Sequence, residues 1–268
     1  MNAMAISRIS SCLSGNQAKG ESMVKVEAMT APDGSTEEEA RLRTNVDAIV
    51  ANMLAANVAQ KIFETDESIG KEYWVLATPN ALEKRFIAVS VLGYPEQVGV
   101  WSYTLLRQSR VNESSMEPYF REFATHDFGH IAINPNFFAP DIEGSSFFYQ
   151  LDRVVSQITS EKRCGLIGFS MGGAIVLDFL DQHPSILERV AGMVLIDPTL
   201  PSRLRLKNIR PLLDRDTLLI ASEGEADSPG KFAASLLNIP AVSFPGIHGE
   251  MPNKALSRII EFYQERIA

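Results

Sequence analysis

The sequence predicts an α/β protein with a mostly parallel central sheet and helices on both faces. Short apolar runs at residues 86–92, 164–167 and 191–196 read as strands covered on both sides. Amphipathic helical stretches alternate with such runs from residue 72 to the end, the pattern of repeated strand–helix–strand units. At 268 residues with 45% hydrophobic side chains, the chain has material for one large core and an extension.

The first 34 residues read as loosely ordered, with scattered Ser, Gly, Asn and Lys and a turn at Ala31-Pro32-Asp33-Gly34. Within them, residues 24–29 alternate as an edge strand would. Residues 35–71 form a helical extension. Thr36 and Glu39 make a capping box, and Leu42, Val46, Ile49, Val50 and Met53 lie on one face of a helix running to about Phe63. Residues 72–268 make up the main domain. Its strands are expected at 73–78, 86–92, 130–133, 164–167, 191–196, 217–221 and 241–244. Helices are expected near 116–125, 147–158, 171–182 and 231–237, with a last one carrying Leu256, Ile259, Ile260 and Tyr263 on one face.

Composition narrows the function. With 33 acidic against 25 basic residues the net charge is −8, which argues against nucleic acid as a partner. Cys12 and Cys164 are too few and too far apart for a disulfide scaffold, so a reduced, cytoplasmic setting is expected. Residues 1–12 faintly resemble an export leader, but Arg8 interrupts the apolar stretch. No apolar run reaches the roughly 20 residues of a membrane span.

The most informative stretch is Gly168-Phe169-Ser170-Met171-Gly172-Gly173. It follows a buried-type strand and opens an amphipathic helix, the context in which G-x-S-x-G exposes a serine above a sheet. The flanking glycines leave room for strand and helix to approach at the tight turn. A helix starting here aims free N–H groups at a developing oxyanion. On these residues, 72–268 resembles the α/β-hydrolase fold, and 168–173 resembles the nucleophile elbow of its serine esterase and lipase branch.

The resemblance implies a triad in the order serine, acid, histidine. Ser170 is the expected nucleophile. His248, in the loop between the last strand and the last helix, is the expected base. His126 and His130 precede the serine, His183-Pro184 reads as a helix end, and no further His or Cys stands near the first pair to complete a metal site. For the acid, Gly224-Glu225-Ala226-Asp227 is similar to the family's G-x-x-D, which selects Asp227. Glu223 and Glu225 are its neighbours, and Asp197, one strand earlier, is the alternative. The oxyanion hole is expected from the N–H groups of Met171 and Tyr94. Tyr94 lies in Leu92-Gly93-Tyr94, which keeps the family's glycine but lacks its preceding histidine.

A serine nucleophile implies an acyl-enzyme formed from a small ester or thioester, and argues against the branches whose elbow carries aspartate. Gly93 and Phe169 are expected to line the substrate. Arg203 and Arg205, in a connection too short for a large cap, read as part of a solvated amphipathic turn or, alternatively, as an anion-recognising, substrate-binding rim. No metal or organic cofactor is implied, and the sequence leaves oligomeric state open. An acyltransferase, a C–C hydrolase and a catalytically silent protein of the same fold remain alternatives.

Overall fold

A computed structural model describes residues 36–66, 71–93, 97–133, 145–158, 161–200 and 207–268. The possible strand at 24–29 lies outside them. So do Tyr94, Arg203 and Arg205.

Helix α1 (Thr36–Ala55) buries its whole predicted stripe, with Leu42, Val46, Ile49, Val50 and Met53 all within the core. It packs on the segment after the third strand: a Cβ at Gly99 would stand 2.7 Å from Val50 Cγ2, and Glu38 pairs with Arg107 at 3.0 Å. The helix stops eight residues before Phe63. Asn57 adopts φ 52°, Val58 N–H donates to Met53 O at 2.9 Å, and Asn57 N–H donates to Leu54 O at 3.0 Å. That bond pair is a Schellman cap, with asparagine in the left-handed position glycine usually fills. In place of the helix expected to run to about Phe63 and of a helical extension to residue 71, the chain then turns into a strand, β1 (Gln60–Asp66), paired antiparallel with β2 (Lys71–Ala77). Lys61 covers the Trp74 ring at 4.2 Å.

The sheet has eight strands in the order β1-β2-β4-β3-β5-β6-β7-β8, with β3 (Phe86–Val91), β4 (Gly129–Ile133), β5 (Arg163–Phe169), β6 (Val190–Ile196), β7 (Thr217–Ser222) and β8 (Ala241–Phe244). β2 is antiparallel to β4, and β3 through β8 are parallel. Every residue of β3, β4 and β6 is buried, which is why they read as unbroken apolar runs.

Between β3 and β4 lie two short helices the sequence did not announce, α2 (Tyr103–Arg107) and α3 (Val111–Ser114), then α4 (Glu117–Thr125). Helix α5 (Ser145–Gln157) precedes β5, and α6 (Met171–Gln182) follows it. The other helices are α7 (Arg210–Arg215), α8 (Pro229–Leu237) and α9 (Met251–Ile267). One core layer joins α1, α4 and α9 to one face of the sheet, and the other joins α5 through α8 to the opposite face. Alternate strand residues feed the two layers: Phe86 and Ala88 go to the first, Ile87, Val89 and Val91 to the second.

Candidate active site

The parallel strands all point their C-terminal ends to one side, and the turns there gather the chemistry. Ser170 joins β5 directly to α6 with φ 54° and ψ −122°, a strained conformation for a residue with a side chain. Its amide donates to Ile196 O at 3.0 Å, and its carbonyl accepts from Gly173 N–H (3.1 Å) and Thr199 N–H (2.9 Å). The elbow is thus tied to the end of β6. A Cβ on Gly172 would stand 2.1 Å from Val91 O, and one on Gly173 would stand 2.5 Å from Pro198 Cβ. The small residues let the start of α6 lie against β3 and residue 198. Ser170 and Met171 are half-buried.

Asp197, the residue after β6, also has positive φ, at 41°, and is wholly buried. Its Oδ2 faces His248 Nδ1 at 3.1 Å. Its Oδ1 accepts from Ser228 Oγ (2.5 Å), Gly230 N–H (2.8 Å) and Ser222 N–H (3.3 Å). Burial pushes this carboxyl's pKa up, but the hydrogen bonds from His248 and Ser228 outweigh it and hold the group at about 2. Asp227, the acid expected from G-x-x-D, is exposed on the loop between β7 and α8. The carboxylate that geometry sets against the imidazole is therefore Asp197, and Asp227 is corrected on this point. The turn beyond β7 explains the difference. Glu223 N–H bonds Phe244 O at 2.9 Å and Gly224 N–H bonds Gly246 O at 2.8 Å, which leaves Asp227 facing solvent.

His248 leaves the loop after β8 with its side chain 28% exposed. Its ring stacks on Phe169, centroids 4.7 Å apart and planes at 26°. Phe169 is itself buried and meets Trp101 edge-on at 6.0 Å, so it supports the imidazole from beneath instead of lining an open substrate surface. The loop is pinned on several sides. His248 N–H donates to Glu225 Oε1 at 3.3 Å, and Ile247 N–H donates to Glu250 Oε2 at 3.2 Å. Glu250 also takes Lys254 at 2.8 Å and Arg110, while Lys254 reaches Pro245 O at 2.6 Å. The bond from Lys254, helped by Arg110 and the Ile247 amide, holds the Glu250 carboxyl at about 2 despite partial desolvation.

Gly93 is buried just beyond β3, beside the elbow through the Gly172–Val91 contact. The remaining histidines stand apart from this centre. His126 bonds Glu122 at 3.2 Å and Gln264 at 3.0 Å. His130, fully buried among Tyr119, Phe120 and Phe123, meets Ser90 Oγ at 2.8 Å through Nε2. Among the described residues no group of three or more His, Cys, Asp or Glu side chains is arranged to hold a metal ion. No helix among them is long and apolar enough to cross a membrane. A cavity of about 440 Å³ lined by Asn57, Thr78, Lys84, Arg121 and Phe128 opens at the N-terminal ends of β3 and β4, away from Ser170. Sequence reading missed Ser228 and Gly230. The only signal for them is the helix-starting Ser-Pro-Gly after β7.

Strand order, the single elbow and the two loop residues beside it define the α/β-hydrolase fold, and solved structures agree. An esterase of Pyrococcus furiosus aligns over 78% of this chain and 91% of its own, with 13% identity and a TM-score of 0.54. An esterase of Pyrobaculum calidifontis aligns over 97% and 99%, with 13% identity and a TM-score of 0.51. The thioesterase domain of the curacin biosynthetic pathway aligns over 77% and 99%, with 10% identity and a TM-score of 0.52. No family model matches the chain, and no curated protein matches it in sequence.

Proposed function

We propose that this protein is a serine hydrolase that cleaves a carboxylic ester or thioester through an acyl-enzyme on Ser170. The observation that carries this is the placement of the Ser170 elbow at the end of β5 and Asp197 at the end of adjacent β6, with His248 bonded to Asp197 and stacked on Phe169, the residue before the serine. A carboxylate only accepts, so Asp197 fixes the neutral His248 as the Nδ1–H tautomer and leaves Nε2 free to take the Ser170 proton.

Ser170 Oγ then attacks the acyl carbon while His248 Nε2 removes its proton. The carbonyl oxygen gains charge beside the start of α6, where the Met171 N–H has no partner within the helix. The backbone amide of Tyr94, in the loop after β3, is the expected second donor. His248 returns the proton to the leaving alcohol or thiol. Water, deprotonated by His248, then releases the acid and restores Ser170. The esterases and the thioesterase that share the fold support this substrate class.

Purified protein tested with a fluorophosphonate probe and a panel of p-nitrophenyl esters and acyl thioesters decides the matter. Wild type should label and turn over at least one ester or thioester, while Ser170→Ala should do neither. An unlabelled wild type, inert to the whole panel, removes the reading.

A further inference from the structure

A helix whose N-cap is serine ordinarily receives a bond from its own second or third amide to the serine oxygen. Ser228 occupies the N-cap of α8 and makes no such bond. Its hydroxyl instead donates to Asp197 Oδ1 at 2.5 Å, and Gly230 N–H, the second amide of the helix, donates to the same oxygen at 2.8 Å. The carboxylate of Asp197 therefore caps α8 from another strand. Both Ser228 and Asp197 are wholly buried. The fit is close: a Cβ on Gly230 would stand 2.5 Å from Asp197 Oδ1. With Ser222 N–H at 3.3 Å, three donors hold one carboxylate oxygen and the other is left to His248 Nδ1.

We propose that Ser228 is a positioning residue of the triad, its hydroxyl fixing Asp197 Oδ1 so that Oδ2 faces His248. This rests on the serine-hydrolase reading above and deepens it. Three donors, the Ser228 hydroxyl among them, hold one oxygen of Asp197 and so fix the carboxylate plane with its other oxygen toward the imidazole. The bond also divides the charge. A hydroxyl donating to Oδ1 draws density away from Oδ2, the oxygen that faces the imidazole. The other charged groups around His248 are Glu225, on its backbone N–H, and Glu250, which Lys254 and Arg110 neutralise.

The test measures fluorophosphonate labelling and p-nitrophenyl butyrate hydrolysis between pH 4 and 9 for wild type, Ser228→Ala and Ser228→Thr, with thermal melting as the check on folding. Ser228→Ala should slow labelling and kcat about tenfold with KM within about twofold, as expected when an interaction serving the transition state alone is lost. The midpoint of its acid limb should rise by several tenths of a pH unit, because Oδ2 then carries more charge toward the imidazolium. Ser228→Thr, which keeps the hydroxyl, should restore rate and midpoint. Should Ser228→Ala fail to fold, Ser228→Cys fills the same space with a weak donor and should give the same signature. A labelled wild type whose Ser228→Ala variant matches it in rate and acid limb overturns the inference alone, as does a slow variant whose acid limb has not moved. An unlabelled wild type overturns the serine-hydrolase reading and this inference with it.

Discussion

Replacing Asp197 by asparagine tests the site most directly, because the surroundings dictate how the amide must sit. Oδ1 faces three donors, Ser222 N–H, Ser228 Oγ and Gly230 N–H. Turning an NH2 toward them would bury opposed donors at about 1–3 kcal/mol for each group left unsatisfied, so the asparagine oxygen takes that place. The NH2 then points at His248 Nδ1, 3.1 Å away in the native pair. It can only donate, so the imidazole must become the Nδ1 acceptor with its proton on Nε2. A base already protonated on Nε2 cannot take the Ser170 proton. The expected loss is about 10³- to 10⁴-fold in kcat, the range for a wrong tautomer in an intact triad. KM should change little, since shape and the three donor bonds persist. Asp227→Asn, on an exposed side chain, should stay within about twofold. Initial rates on p-nitrophenyl butyrate and fluorophosphonate labelling of each variant supply the measurement. A collapse in Asp227→Asn beside a near-native Asp197→Asn would refute the assignment.

Two further outcomes concern the frame that holds the site. Burial lowers the His130 pKa from 6.5 to about 3, so between those values the unfolded chain binds a proton that the folded one does not. Stability should therefore fall with pH from about 6.5 downward, by about 2 kcal/mol between pH 7 and 5. Asp197 and Glu250, depressed to about 2 from 3.8 and 4.5, stabilise the fold above those ordinary values and lose that contribution only as pH falls further toward 2. Across pH 5–7 the urea midpoints of His130→Phe should therefore be flatter than those of wild type. An equal slope in wild type and variant contradicts the mechanism. Gly172→Ala should destabilise by about 1–3 kcal/mol or more in urea, because its Cβ would stand 2.1 Å from a strand carbonyl that cannot step aside. A variant as stable as wild type would mean that α6 starts further from β3.

The parts of the site legible in the sequence are those whose requirement is local. Gly168, Gly172 and Gly173 are fixed by contacts within a few residues of the elbow or with one neighbouring strand end, and the spacing shows them. His248 is legible because it sits in the only loop between the last strand and the last helix. Strand β1 was hidden because Asn57 ends α1 by a left-handed turn, while apolar residues continued at helical spacing beyond it.

The acid is a harder case, and its physics is non-local. Asp197 and Asp227 both follow strands, β6 and β7. What separates them is where donors lie in space. The amides of Ser222 and Gly230 and the hydroxyl of Ser228 come from residues 25 to 33 positions downstream of Asp197 and converge on it because β7 runs beside β6 and α8 starts above it. The same loop that offers those groups inward is zipped to the histidine loop through Glu223 and Gly224, with Asp227 left in water. An ionised carboxylate is stable in a buried place only where donors surround it. The pattern Gly-Glu-Ala-Asp thus marks the loop that supplies the donors, and the carboxylate they stabilise is the one at the end of the neighbouring strand.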